Sequence, residues 1–269
     1  MTFHATRSGW LVTISGVLVV ALWMLGTPNY PNGKAQAIGY AICHQITLRS
    51  IPIVGDMVMP LCARCTGIYL GATLGFLVLL ARGRLRAWRL PRLPILLLLL
   101  SAFALLGIDG LNSYLTLFPT YTPIYPPNNV LRLVTGMLTG VSLMHLLMPF
   151  FNRAIWSPER VDDRRSVDGL VDLAAILALA AVTVLFVLSE RPLIVWTLGI
   201  LSSLGVLLVL MLVGAGFFVA VTRRSGTAHH WRDLALPLLA GAALAFVELS
   251  AITIIRYALT GTWAGFNFG

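Results

Sequence analysis

All three cysteines of this 269-residue chain lie within one window of 23 residues, together with a histidine. Cys43 and His44 are adjacent, and Cys62 and Cys65 form a Cys-x-x-Cys pair. Thiolate and imidazole bind metal ions, and this set has the composition of a Cys₃His zinc site. Adjacent helical residues point in different directions, so one of Cys43 and His44 could be left out of the coordination. Three ligands would leave an open position, as catalytic zinc sites have.

A redox function is the alternative for the same cysteines. A Cys-x-x-Cys pair at the start of a helix has a lowered thiol pKa, because the helix dipole and the neighbouring Arg64 favour the thiolate. Cys62 and Cys65 would then be the active pair of a thiol-disulfide oxidoreductase, and Cys43 would resolve it. A third interpretation is a purely structural metal or disulfide that fastens an outer segment to a membrane span.

The composition places the chain in a membrane. Its hydrophobic fraction is 58% and its charged fraction 11%, whereas soluble domains carry roughly 25% charged residues. We expect a single integral membrane domain over residues 1–269, with the first span kept as an anchor because no small-residue cleavage site follows it. The apolar runs are long enough to cross a bilayer, and we predict seven spans at 9–26, 64–81, 94–113, 130–150, 170–189, 192–222 and 234–258.

The basic residues are unevenly distributed between the two sides of these spans. Thirteen of the nineteen Lys and Arg residues fall on the side of the amino terminus. Positive residues accumulate in cytoplasmic loops, so we predict a cytoplasmic amino terminus and an outer carboxyl terminus. The cysteines would then lie at the extracytoplasmic face of the cell membrane. The same distribution argues against nucleic acid as a partner, because the charge is accounted for by orientation.

Several segments should position the cysteine site. Residues 35–49 have isoleucines at four-residue spacing, which predicts a short interfacial helix on the outer face that carries Cys43 and His44. Residues 51–60 are expected to form a connector with a turn at its centre. Glycines repeat every four residues in spans two and four, which predicts close contact of these two helices. The loop 117–129, rich in Pro and Tyr, should cover the outer face.

Ionisable residues inside the spans point to the same region. Asp109, Arg132 and Arg256 fall at the depth of the cysteines, and Glu248 lies about two turns deeper than Arg256, or about 12 Å. Such charges are costly in a membrane and are usually paired or functional. Arg132 or Arg64 would bind an anionic substrate group, and Asp109 or Glu248 would serve as acid or base. The structural alternative is ion pairing, for example between Asp109 and Arg132.

Two stretches and two later segments carry a resemblance to a known family. The first is Cys-His-Gln at 43–45 with Arg-Ser at 49–50, and the second is Pro-Leu-Cys-Ala-Arg-Cys-Thr-Gly-Ile-Tyr at 60–69. With Asp-Gly at 109–110 and Leu-Arg-Leu-Val-Thr-Gly at 131–136, the chain resembles a prokaryotic membrane family, domain of unknown function 2085. The resemblance covers roughly the first 145 residues, with the motifs in 35–145, and implies no activity. It does imply one site made of Cys43, His44, Cys62, Arg64, Cys65, Asp109 and Arg132.

Together these patterns predict an all-α, polytopic membrane bundle with an outer Cys/His metal site, most simply for zinc. The leading function is a membrane-embedded enzyme acting on a lipid-linked or other membrane-confined substrate. A membrane thiol-disulfide oxidoreductase is the first alternative. A transporter, or a subunit of a membrane complex, with a purely structural metal or disulfide is the second. The expected partners are the lipid bilayer and either a lipid-linked substrate or a membrane partner subunit.

Overall fold

The computed structural model describes residues 7–30, 32–118 and 120–264. Within these ranges the chain forms eight α-helices and two small two-stranded sheets. Seven of the helices are long and apolar enough to cross a membrane, which confirms the predicted seven spans. The helices are α1 (Arg7–Gly26), α2 (Gly33–Ile42), α3 (Ala63–Ala81), α4 (Leu93–Leu115), α5 (Asn129–Ile155), α6 (Leu170–Val187), α7 (Pro192–Val221) and α8 (Ala235–Thr260), and the strands are β1 (Ser50–Val54), β2 (Met57–Cys62), β3 (Ala87–Arg89) and β4 (Asp162–Arg165).

Helices α3 and α5 form the closest pair in the bundle, as the glycine repeats predicted. A methyl group added to Gly140 would overlap the carbonyl oxygen of Ile68, and one added to Gly71 would overlap that of Met137. Only a hydrogen side chain lets the two backbones approach this closely. This contact brings the amino-terminal end of α3, which begins at Ala63, beside the amino-terminal end of α5, which begins at Asn129.

The two ends of the bundle differ in their charge. The end without cysteines contains three basic loops, residues 82–92, 156–169 and 222–234, and β3 and β4 pair in parallel between the first two of them. Its ion pairs include Arg84 with Asp168 at 2.7 Å and Arg82 with Asp172 at 2.7 Å. The cysteines lie at the opposite end. The cytoplasmic amino terminus and the outer position of the cysteines stay predictions.

The short helix predicted over 35–49 exists but has different bounds. Helix α2 ends at Ile42, so the prediction that it carries Cys43 and His44 is wrong. Cys43 is extended (φ −122°, ψ 146°), and Gln45 adopts a left-handed backbone conformation with φ 51°. Seven of the ten residues of α2 are buried. Its apolar side therefore packs within the bundle, against β2, α7 and α8.

The predicted connector between residues 51 and 60 is a β-hairpin. Strands β1 and β2 are antiparallel, and Ser50 is the partner of Cys62 in the register. The turn lies at Gly55, as predicted, with a positive φ of 54° that favours glycine. The hairpin therefore fixes the position of Cys62 immediately before α3 begins.

Candidate metal centre

The three cysteine side chains meet at the junction of α2, β2 and α3. Their sulfur atoms all lie within 4.8 Å of one another. Cys43 is buried, with 4% of its surface exposed, and Cys62 and Cys65 are half-buried. Cys62 is the N-cap of α3, and Cys65 lies in the first turn of that helix. The 43–65 segment thus brings together residues that are 22 positions apart, because the hairpin returns the chain to α2.

Hydrogen bonds surround the sulfur of Cys43. It accepts from the backbone N–H of Gln45 at 3.4 Å and from that of Cys62 at 3.3 Å. The Gln45 side chain donates to the carbonyl oxygen of Pro60 at 2.9 Å and to the backbone carbonyl of Gln36 at 3.2 Å. Gln45 therefore joins helix α2, strand β2 and the loop of residues 43–46, called the Cys43 loop below, in one network. Backbone donors of this kind stabilise and orient a thiolate that binds a metal.

The sulfurs differ in their affinity for protons when no metal is bound. Hydrogen bonds from the Cys43 and Cys65 thiols, with a contribution from the positive charge of Arg64, hold the pKa of Cys62 well below its ordinary value. The hydrogen bond to Cys62, reinforced by burial, raises the pKa of Cys43 to about 11. Cys62 is therefore the sulfur that carries the first negative charge of the cluster.

Arg256 of α8 holds the Cys43 loop from the other side. Its guanidinium donates to the carbonyl oxygens of Tyr40 at 2.5 Å, Cys43 at 2.6 Å and His44 at 3.2 Å. The same group lies 4.0 Å from the centre of the Tyr40 ring, a cation–π contact. The sequence indicated Arg256 as an intramembrane charge at the depth of the cysteines. Its hydrogen bonds to main-chain carbonyl oxygens were not predicted, since no sequence pattern marks which backbone groups lack partners.

Asp109 pairs with Arg64, so the suggested pairing of Asp109 with Arg132 is wrong. The Arg64 guanidinium contacts one carboxylate oxygen of Asp109 at 2.5 and 3.1 Å. The phenol of Tyr125 donates to the other oxygen at 3.0 Å. Tyr125 belongs to the loop predicted to cover this face, and the side chain of Asn112 holds that loop by accepting from Ile124 N–H at 2.9 Å. Asp109 is thus fully engaged between α3 and the loop.

Arg132 has neutral partners instead. It donates to the hydroxyl of Ser113 at 2.7 and 3.2 Å and to the side-chain oxygen of Asn129 at 2.8 Å. Arg49, which follows the Cys43 loop, donates to the main-chain carbonyl of Ser113 at 3.2 Å. Two guanidinium groups therefore converge on one residue of α4. Neither Arg49 nor Ser113 was predicted as part of the site, although Arg49 belongs to one of the stretches that carry the family resemblance.

A cavity of about 180 Å³ joins these groups. The cysteines, His44 and the three arginines share its wall with apolar and polar neighbours, and its lining residues are Ile42, Cys43, His44, Gln45, Ile46, Arg49, Cys62, Arg64, Cys65, Tyr114, Leu117 and Arg132. The prediction that Arg132 lies near the Cys62–Cys65 region is confirmed. Asp109 lies behind Arg64 and does not contribute to the lining.

Two predicted site residues are placed differently. The side chain of His44 is exposed, and His44 is not among the described residues whose ligand atoms meet at the cysteine cluster. Glu248 lies on the exposed face of α8 and does not line the cavity. His145 of α5 is fully buried, and its Nδ1 lies 2.9 Å from the Val141 carbonyl oxygen.

The helices and the site define a class: a polytopic membrane protein with a cysteine cluster and buried arginines at one end of the bundle. Residues 43–146 match the family described as a predicted membrane protein, domain of unknown function 2085, and the chain belongs to this family. The match begins at Cys43 and includes every motif residue through Arg132. Arg256 and Glu248 lie beyond it.

The chain is similar to an uncharacterised protein of Methanocaldococcus jannaschii. The two sequences are 30% identical over 120 residues, which are 45% of this chain and 70% of the relative. No solved structure matches the chain.

Proposed function

We propose that Cys43, Cys62 and Cys65 form a zinc centre in a membrane-embedded enzyme that acts on a lipid-linked or other membrane-confined substrate. The observation that carries this proposal is the convergence of the three sulfur atoms to within 4.8 Å of one another. Random placement would not bring the only three cysteines of a 269-residue chain together. The surrounding cavity supplies room for a reacting group beside them.

The donor set fits a zinc ion. Zinc–sulfur bonds of about 2.3 Å in tetrahedral geometry place the sulfurs about 3.8 Å apart, which lies within the observed 4.8 Å limit. The two backbone N–H groups on the Cys43 sulfur are the kind of outer-shell donors that orient thiolate ligands. Three thiolates leave one tetrahedral position for water, substrate or the imidazole of His44, at the cavity wall.

The cavity residues have separate roles in this proposal. A bound zinc ion would supply Lewis acidity at the open position. Arg132 would bind an anionic group of the substrate, and Arg64 would do so only with the part of its guanidinium that Asp109 leaves available. Asp109 would act on protons through Tyr125, whose hydroxyl it accepts from. Glu248 is less suited to such a role, because it does not line the cavity.

The proposed location is the extracytoplasmic face of the cell membrane. The basic loops and the cysteine site lie at opposite ends of the bundle. Because basic loops are retained in the cytoplasm, this distribution favours an outer cysteine site. Impermeant thiol reagents applied to intact cells, after metal removal and reduction, should label the cysteines. Labelling found only in inside-out vesicles would reverse the orientation.

A thiol-disulfide oxidoreductase is the second candidate function. It is supported by the lowered pKa of Cys62, which makes this residue the nucleophile of the trio. Cys43 and Cys65 both lie within 4.8 Å of it, so either sulfur could complete a disulfide after a small movement.

Elemental analysis of the purified protein, combined with a free-thiol count, separates the two functions. A zinc centre predicts about one equivalent of metal and three thiols that a chelator makes reactive. Cys65→Ser should lower both the metal content and the stability, because metal binding is coupled to folding. Metal-free protein with two oxidised thiols and one free thiol would contradict the zinc centre and support the oxidoreductase.

Replacing His44 tests the open position. His44→Ala should retain the metal if the three cysteines suffice, whereas loss of metal would make His44 a fourth ligand. His230→Ala is the matched control, because His230 is an exposed histidine at the other end of the bundle. Its metal content should equal that of the parent protein.

A further inference from the structure

The cavity beside the cysteines is lined by three arginines, and only one of them has a carboxylate partner in the part of the chain that the structure describes. Arg49, Arg64 and Arg132 line it, and no Asp or Glu appears among its described lining residues. The charge of Arg64 is matched by Asp109 at 2.5 Å. Neither Arg49 nor Arg132 forms an ion pair with any described carboxylate. Two guanidinium charges are therefore left over.

Burial makes this excess charge informative. Only 7% of Arg132 is exposed, and its protein partners, Ser113 and Asn129, are neutral. Removing a charge from water is costly unless an opposite charge compensates for it. Three thiolates with one divalent ion carry a net charge of −1, which offsets only one of the two guanidinium groups. An anionic ligand would balance the other.

We infer that the cavity binds the phosphate group of a membrane lipid between Arg49 and Arg132. This inference rests on the proposed function and names the chemical class of its substrate. A guanidinium group offers several N–H donors in one plane, which suits the oxygens of a phosphate. The shared contact of Arg49 and Arg132 with Ser113 fixes both groups at one side of the cavity.

The cavity is large enough for the headgroup of a lipid but too small for the whole lipid. A volume of about 180 Å³ is below the roughly 300–1,000 Å³ of pockets that enclose drug-sized molecules. The rest of the ligand must therefore lie outside. Tyr114, at the cavity wall, continues an exposed apolar stripe of α4 that includes Ile108 and Leu111. These residues follow helical spacing on one face, so an acyl chain in the bilayer can lie along them while the phosphate enters the cavity.

Binding of two probes to the purified full-length protein in detergent tests the inference. Dihexanoyl phosphatidic acid carries the phosphate on a short lipid, and inorganic phosphate carries no lipid. We expect the lipid probe to bind more tightly, and Arg132→Gln to weaken its binding by about 10- to 100-fold through loss of charge-assisted hydrogen bonds. Arg49→Gln should also weaken binding of the lipid probe. This second variant keeps the test decisive if the Arg132 variant does not fold. Arg191→Gln is the control, since Arg191 is exposed at the same end and does not line the cavity.

The outcomes distinguish this inference from the zinc proposal. Equal affinity for both probes, weakened by Arg49→Gln, supports a phosphate site and overturns the assignment to a lipid. No binding of either probe to protein that holds its metal overturns the inference alone. Binding that depends on Arg132 in protein without metal supports the phosphate site while the zinc centre fails. Unchanged affinity in both the Arg49 and Arg132 variants refutes the inference.

Discussion

The ion pair between Arg64 and Asp109 should be a major local contribution to stability. The Asp109 side chain is 3% exposed and that of Arg64 is 20% exposed. Arg64→Met leaves a buried carboxylate with Tyr125 as its remaining side-chain partner, and removing one member of a buried pair costs about 3–5 kcal/mol. Asp109→Asn should cost less, about 1–3 kcal/mol, because the partly exposed guanidinium can reach water.

The measurement is the free energy of unfolding in mixed micelles, followed by tryptophan fluorescence during titration with dodecyl sulfate. Metal-free protein should be used, so that an effect on the cysteine cluster does not enter the result. The double variant should lose less than the sum of the two single losses, with a coupling of about 1 kcal/mol or more.

A matched control is available at the other end of the bundle. Arg89 and Asp163 form an ion pair at 2.5 Å with 49% and 66% of their side chains exposed. Exposed pairs contribute about 0–1 kcal/mol, so Arg89→Met should have a small effect. If Arg64→Met costs no more than Arg89→Met, or if the double variant is simply additive, the assignment of Arg64 as the partner that stabilises buried Asp109 is wrong.

Three further predictions concern packing and the site. Gly140→Ala should lower the thermal unfolding midpoint, because its methyl group overlaps the Ile68 carbonyl, at a cost of about 1–3 kcal/mol for overpacking; Gly216→Ala, with nothing within 4 Å, should not lower it. In metal-free protein, Cys62 should be the first thiol alkylated by iodoacetamide, and the rate should already rise below pH 9 as its thiolate forms, as read by peptide mass spectrometry. Equal rates for the three cysteines would contradict this. Arg256→Met should release the Cys43 loop and reduce metal content, whereas Arg256→Lys should retain part of it.

The sequence was sufficient for the features that depend on composition or on short repeats. The seven spans follow from apolar runs bounded by charge, and the contact of α3 with α5 follows from glycines such as Gly71 and Gly140. These signals are local, and their physical meaning in a membrane has few alternatives. The grouping of the three cysteines was predicted from their position within one window of 23 residues.

The features that depend on how a helix is rotated about its axis, or on contacts between distant residues, could not be predicted from the sequence. Arg64 and Arg132 fall at similar depth, but the orientation of α4 decides which of them meets Asp109, and α4 has no glycine ladder facing a neighbour. The isoleucine spacing suggested that the helix continues past Cys43. In the fold it ends there, because Gln45 turns left-handed and its side chain bonds to Pro60 in the neighbouring strand.

The hydrogen bonds from Arg256 to the Cys43 loop can form only late in synthesis of the chain. Cys43 and Arg256 are 213 positions apart. At about 5–20 residues per second, a ribosome needs about 10–40 s to travel between them. During that interval the Cys43 loop is already synthesised, but the guanidinium that fixes its carbonyl does not yet exist. The Cys43 loop is therefore held in its final position only after α8 has been synthesised and packed against it.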